Sequence, residues 1–237
     1  MQIQLDPHTH SLASGHAGRS TITDLAKQAA KVGLKAIGVT DHAPATPSSS
    51  KSSYFRSLSY APKKRCGIEI LYGVELNILD FDGNIDLDEE ILSGLDYAII
   101  SMHLPNIKPG SKEETTFAYV NAMKHPKVKI VGHPEDAHYT LDYEALVLAA
   151  KHYHVAIEVN NSSLMPDGYR GNVHDNVRDL LNLCKKYNCP IAISSDAHSL
   201  KQVGDFQYSL EMIKTAGISE DLIINRSLEA FKSFINA

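Results

Sequence analysis

A chain of 237 residues with 43% hydrophobic content can bury a substantial core, as one large domain or two small ones. Its net charge of −5 and isoelectric point near 6.2 argue against general attraction to nucleic acid or an anionic membrane surface. The cysteines (Cys66, Cys184, Cys189) are scattered without CxxC spacing, and no basic-then-apolar leader opens the sequence. No apolar run reaches the roughly 18 residues of a membrane span, so inert thiols in a soluble cytoplasmic protein are expected.

The run Ile3-Gln4-Leu5 reads as a strand ending at Asp6-Pro7-His8-Thr9-His10, where extended backbone would point His8 and His10 to one face. A Ser/Gly-rich loop with His16 and Arg19 leads to a helical pattern over Asp24 to Val32, stopped by Gly33. Lys35 to Thr40 reads as a buried strand running into Asp41-His42. Residues 43 to 66, rich in Ser, Pro, Lys and Tyr and without strong periodicity until Tyr54, read as a long loop or lid with room for one helical turn. The strand Ile68 to Leu76 carries Glu75 on the face of Leu71 and Gly73.

A turn at Asp82-Gly83-Asn84 and a short helix over Asp88 to Leu92 come next. Further strands are expected at Tyr97 to Ser101, ending at His103; at Val128 to Gly132, ending at His133-Pro134; and at Val155 to Val159, ending at Asn160-Asn161-Ser162. The last, Pro190 to Ser194, runs into Ser195-Asp196-Ala197-His198. Helices are expected at Glu113 to Met123, Tyr143 to His152, Val173 to Tyr187, Asp205 to Thr215 and Ser227 to Ile235. Seven strands alternating with helices indicate an α/β chain with a parallel sheet. Polar residues at nearly every strand's C-terminal end favour a closed barrel over an open sheet, because such ends ring one mouth. No repeat, linker or second domain is evident, so 1–237 reads as a single domain.

The chain has 12 histidines and no tryptophan. His8, His10, His16, His42, His103, His133 and His198, with Glu75 and Asp196, would face that mouth. Any one of them has an ordinary explanation: a turn histidine before Pro134, a loop ion pair at Asp41-His42, a solvated Glu75. Nine at strand ends do not. They exceed the ligand set of one four-coordinate zinc, so two or three divalent ions are expected, with Glu75 bridging and Asp196 a second candidate bridge. His125, His138, His152, His154 and His174 fall in helices or connections and read as surface residues, with His138 the least fixed.

His8-x-His10, Thr40-Asp41-His42, Gly73-x-Glu75, His103, Gly132-His133-Pro134 and Ser195-Asp196-x-His198 resemble, in order, the motif series of the PHP (polymerase and histidinol phosphatase) superfamily. Asn160-Asn161-Ser162-Ser163 and the length resemble its small stand-alone bacterial phosphatases. The resemblance implies a single PHP domain with a distorted seven-stranded (β/α) barrel, similar to a TIM barrel, and a trinuclear site, commonly zinc and sometimes manganese or iron. Carried over by position, it implies His8, His10, Glu75 and Asp196 on one metal, Glu75, His103 and His133 on the second, and His16, His42 and His198 on the third.

Clustered divalent ions suit phosphoryl transfer, since they bring a water's ionisation near neutrality and neutralise charge on the leaving oxygen. Hydrolysis of a small phosphomonoester, with Glu75 and Asp196 central, is the expected activity. The leaving alkoxide would take its proton from a metal-bound water or from His138, and Arg19 and Arg170 would clamp phosphate oxygens. The rivals are histidinol phosphatase, a nucleotide phosphatase or nuclease on the same metals, a non-catalytic metal-binding regulatory barrel, and an amidohydrolase. Long nucleic acid is disfavoured because no basic, aromatic-interleaved groove is apparent. An amidohydrolase is disfavoured because no lysine stands at a strand end. The expected partner is a small phosphorylated metabolite and not a membrane; a homo-oligomer is compatible with the sequence.

Overall fold

The computed structural model describes residues 2–17 and 19–237. Its strands are β1 (Leu5–Asp6), β2 (Ala36–Val39), β3 (Lys64–Arg65), β4 (Ile68–Asn77), β5 (Tyr97–Ser101), β6 (Val128–Val131), β7 (Ala156–Asn160) and β8 (Ile191–Ser194). All but β3 are parallel and pair in the order β1-β2-β4-β5-β6-β7-β8, so the expected (β/α) barrel of seven parallel strands is borne out, in nearly closed form. The α-helices are α1 (Ile22–Lys31), α2 (Ser52–Leu58), α3 (Glu89–Ser93), α4 (Lys112–Ala122), α5 (Tyr143–His152), α6 (Asn161–Leu164), α7 (His174–Tyr187), α8 (Gln207–Ala216) and α9 (Leu228–Ile235). Local sequence sets their ends. Thr21 with Asp24 and Ser111 with Glu114 close reciprocal caps on α1 and α4, while Asn188 and Gly217 end α7 and α8 in left-handed conformation. Among the described residues, no helix is long and apolar enough to cross a membrane.

Side-chain alternation divides each strand between two cores. On β4, Ile70, Tyr72, Val74 and Leu76 face the helices, while Leu71 faces the barrel interior with Leu5, Ala36, Tyr97, Ile99 and Ile130. The interior is sealed below by α9, whose Phe231 packs edge-on against Tyr97 at 5.2 Å. Tyr97 crosses the barrel to donate its hydroxyl hydrogen to the Pro7 carbonyl. This needs glycine at position 38, where a Cβ would collide with that hydroxyl. Apolar side chains therefore fill the lower barrel, and polar ones are delivered to the top.

Between β8 and β1 the barrel is closed mainly by side chains. Asn225 donates to the carbonyls of Leu5 (2.8 Å) and Ile193 (2.7 Å) and accepts from the Ile193 N–H (3.0 Å). Asp6 accepts from the Ser195 N–H and hydroxyl, and a Thr9–Ala197 bridge continues the seam. Asn225 is fully buried, so Asn225→Ala strands three backbone groups away from water. A loss of about 3 kcal/mol or more is expected in urea unfolding, at roughly 1–3 kcal/mol per orphaned group. A loss below about 1 kcal/mol would mean the seam closes without it.

Residues 43 to 66 depart from the loop or lid expected of them. They contain α2, whose Phe55 and Leu58 are buried one turn apart, and β3, antiparallel to β4. The Tyr54 hydroxyl donates to Asp41, so the segment is packed wall, with Thr46 and Pro47 at the mouth of the barrel.

Candidate metal centre

Seven of the strands end beneath one cleft of about 760 Å³. β4 points Glu75 inward by the alternation that turns Leu71 and Gly73 to the same side. His8 and His10 leave β1 with Thr9 between them tied to Gly38 by its hydroxyl (2.7 Å) and bridged to Ala197. His42 follows β2 and bridges Glu75; His103 and His133 follow β5 and β6. The Asp196-x-His198 pair does not repeat the extended His8-x-His10 geometry. Asp196 lies in left-handed backbone (φ 51°), so a turn, and not a strand, brings the two side chains together.

Glu75 is the hub. Its Oε1 lies 3.0 Å from His133 Nε2 and 3.3 Å from His103 Nε2. Its Oε2 lies 2.6 Å from His42 Nδ1, 3.5 Å from His8 Nε2 and 3.6 Å from His10 Nε2. Asp196 Oδ1 is 3.1 Å from His10 Nε2 and 3.6 Å from His8 Nε2, and His16 Nε2 meets His198 Nε2 at 3.1 Å. Three groups have donor atoms close enough to share a cation: His8/His10/Glu75, His42/Glu75/His103 and His10/His42/His198. The fit to metal is testable on the atoms themselves. His8 Nε2, His10 Nε2 and His103 Nε2 are buried without hydrogen-bond partners, and His42 Nδ1 and Glu75 Oε2, though 2.6 Å apart, are not aligned for a hydrogen bond. Orphaned buried nitrogens aimed at a buried carboxylate are costly in a protein and ordinary around a divalent cation.

Outward-facing nitrogens explain the aim. His8 Nδ1 binds Glu158 (2.6 Å), His10 Nδ1 binds Ser14 Oγ (2.9 Å), itself on Asp41, and His103 Nδ1 binds Asn77 Oδ1 (2.8 Å). Fixing one ring nitrogen outward turns the Nε2 lone pair inward. Burial with the neighbouring His198 and His42 rings holds His10 well below the ordinary histidine value. The same causes push His16 down to about 4, so both are neutral at pH 7. Burial opposes ionisation of Glu75, but His42, His103 and His8 hold it well below the carboxylate range; for Asp196, likewise buried, His8 and Arg170 do the same.

Residues 6–164 match the model of the PHP domain. A protein named probable phosphatase from Thermoanaerobacter sp. is 43% identical over 236 residues, covering 99% of this chain and 95% of that protein. Another of that name, from Caldicellulosiruptor bescii, is 40% identical over 235 residues, covering 99% and 96%. This chain belongs to the PHP family. Among solved structures, the histidinol phosphate phosphatase of Lactococcus lactis, complexed with zinc, L-histidinol and phosphate, shares the fold. Its TM-score is 0.59 at 19% identity, covering 92% of this chain and 95% of that one.

The arginines sit differently from each other in this PHP barrel. Arg170 is buried and bonded to Ser163 Oγ (2.9 Å) and Asp196 Oδ2 (3.0 Å) beneath Tyr169, so its guanidinium holds a carboxylate of the centre and does not line the cleft. Arg19 is exposed and outside the cleft lining. His138, in contrast, lines the cleft. His152, His154 and His174 are exposed, and His125 pairs with Glu89.

Sequence reading passed over Glu158, Asp41 and Asn77 as positioning residues. Glu158 carried a signal: it sits in Ala156-Ile157-Glu158-Val159-Asn160, where alternation turns a lone acid inward as it does Glu75. Glu135 was also passed over. It is fully buried, and burial pushes it up to about 8 against the opposing pull of the Ser163 hydroxyl and of Arg170. A raised carboxyl binds its proton more tightly when folded, so it contributes stability below 4.5 that is lost as pH rises toward 8. Glu135→Gln is therefore expected to flatten the fall in unfolding free energy between pH 5 and 9 by on the order of 2–4 kcal/mol. Parallel urea curves at the two pH values check it; an unchanged slope would place the ionised form in the fold.

Proposed function

We propose that this protein is a metal-dependent phosphatase of small phosphomonoesters, its metals held by His8, His10, His16, His42, Glu75, His103, His133, Asp196 and His198. The observation that carries this reading is the ring of five imidazoles around Glu75, four of them with unpartnered nitrogens facing inward beneath an open cleft. Divalent ions, zinc foremost and manganese or iron as substitutes, supply such a site with charge neutralisation and a water acidic enough to act as nucleophile near neutrality. Around them the chain's own residues do the positioning. Glu158, Ser14 and Asn77 hold the rings in one tautomer, Arg170 and Asn160 hold Asp196 Oδ2 and leave Oδ1 facing His10, and the barrel below excludes water.

Among the described residues, no lysine or arginine lines the cleft, so a phosphate dianion there would be balanced by bound metal ions and imidazoles. The same lack speaks against a long nucleic acid as substrate. Lys129 of β6 donates to the Ala237 carbonyl, and among the described residues no lysine lines the cleft, which speaks against an amidohydrolase. Elemental analysis followed by a phosphate-release screen over small monoesters tests the proposal. Release that a chelator abolishes and zinc or manganese restores is expected. Metal-replete protein that releases no phosphate from any ester would favour the metal-binding, non-catalytic alternative.

A further inference from the structure

Among the histidines of the cleft, His138 stands apart. It belongs to none of the three metal-holding groups, yet it lines the same cleft as His103 and Asp196, and its side chain is 39% exposed there. Its Nδ1–H donates to Asp136 Oδ1 at 2.7 Å, and the same oxygen accepts the His138 backbone N–H at 2.9 Å. Asp136 is buried, and its other oxygen lies 4.0 Å from Arg170 Nε. The turn beneath is pinned by Asp136 N–H to the His133 carbonyl (3.1 Å), Ala137 N–H to the Arg170 carbonyl (3.0 Å) and the Tyr139 hydroxyl to the Ile107 carbonyl (2.9 Å). A carboxylate can only accept, so Nδ1 must carry hydrogen and Nε2 is left for the cleft.

Resting on the phosphatase reading, we infer that Asp136 and His138 are the proton-donating pair of this site: His138 is a catalytic residue giving its Nε2 proton to the leaving oxygen, and Asp136 is the positioning residue that fixes the ring and stabilises its cationic form. In the step, a water oxygen bonds to phosphorus as the bond from phosphorus to the ester oxygen breaks. The Nε2 proton passes to that ester oxygen, giving the alcohol. The proton lost by the water restores the imidazolium through solvent, so ester plus water gives alcohol plus inorganic phosphate. An alkoxide is a poor leaving group and needs this proton, whereas a nitrophenolate departs without it.

The test uses the full-length, metal-loaded protein and two ester classes, para-nitrophenyl phosphate and alkyl phosphates including β-glycerophosphate. His138→Gln and the isosteric Asp136→Asn, whose amide can turn an N–H toward Nδ1 and reverse the tautomer, are each expected to lower kcat on the alkyl ester about 10²-fold or more. On the nitrophenyl ester both should stay within roughly threefold of the parent, since general-acid help matters little for a good leaving group. Metal content and far-ultraviolet circular dichroism should be unchanged. Equal losses on both esters with metal retained would assign the pair a structural or binding role and overturn the proposal. No loss on either, or a parent protein that cleaves the nitrophenyl but no alkyl ester, would also overturn it. A metal-replete parent inactive on both classes would instead bring down the phosphatase reading itself.

Discussion

Glu75→Gln is expected to leave the barrel folded, lower bound metal and reduce phosphate release by at least the roughly 10²–10³-fold typical of removing one charge-stabilising group from an active site. The substitution is nearly isosteric, so the effect isolates charge and hydrogen-bonding sense. Oε1 faces His133 and His103, and Oε2 faces His42, His8 and His10. An amide must turn its N–H₂ toward one of these sets, where it would donate to ring lone pairs that the proposed metal ions require and would leave only one oxygen able to act as a ligand. It also removes the negative charge that would let the proposed divalent ions approach each other. The carboxylate tolerates full burial because His42, His103 and His8 hold it ionised. Elemental analysis beside a turnover assay decides the matter: parent-like metal content with parent-like activity would remove Glu75 from the centre.

The parts of this site legible in the sequence are those where strand alternation meets a chain end. Glu75 could be placed inward because Leu71 and Gly73 share its face in an unbroken strand, and His8 with His10 because one residue separates them. Asp196 and His198 do converge, 3.4 Å apart, but not through the extended geometry their spacing suggests. Left-handed backbone at Asp196 cannot be read from a spacing of two, and it gives the same convergence by a different path. Arg170 illustrates a second limit. Its loop position suggests a phosphate clamp, but its carboxylate partner, Asp196, is 26 residues away and meets it only where the loops after the neighbouring strands β7 and β8 pack together. Likewise α2 was hidden because a helix of 7 residues with two buried apolar positions gives almost no periodicity to count. The seam at Asn225 joins residues 220 positions apart and is invisible to any local pattern.

What the sequence left least visible is the layer that orients the ligands, and there Glu158→Gln carries the second large expectation. Glu158 Oε1 accepts from His8 Nδ1–H and the Ser194 hydroxyl, each at 2.6 Å; Oε2 accepts from the His133 backbone N–H at 2.6 Å and Asn160 Nδ2–H at 3.1 Å. All four partners donate, so a glutamine must set its own N–H₂ against one pair. Facing His8, it forces the ring to the Nε2–H tautomer and turns the lone pair away from Glu75. Facing His133, it strands a buried backbone N–H in the turn that carries a second proposed ligand. Either way metal affinity should fall about 10–100-fold, the usual cost of losing a carboxylate behind a ligating histidine. Proton linkage adds an independent readout. Burial works against a charge on His8, but Glu158, Asp196 and Glu75 raise it well above the ordinary value, so the metal-free protein holds His8 protonated at neutral pH. Metal must displace that proton, and affinity should therefore rise with pH through the titration of His8. Removing the Glu158 charge lowers the His8 pKa, so the variant should bind zinc more weakly and release fewer protons. Chelator competition gives the first quantity, and calorimetry in buffers of different ionisation enthalpy gives the second. An unchanged affinity with an unchanged proton count would show that His8 is oriented by packing alone.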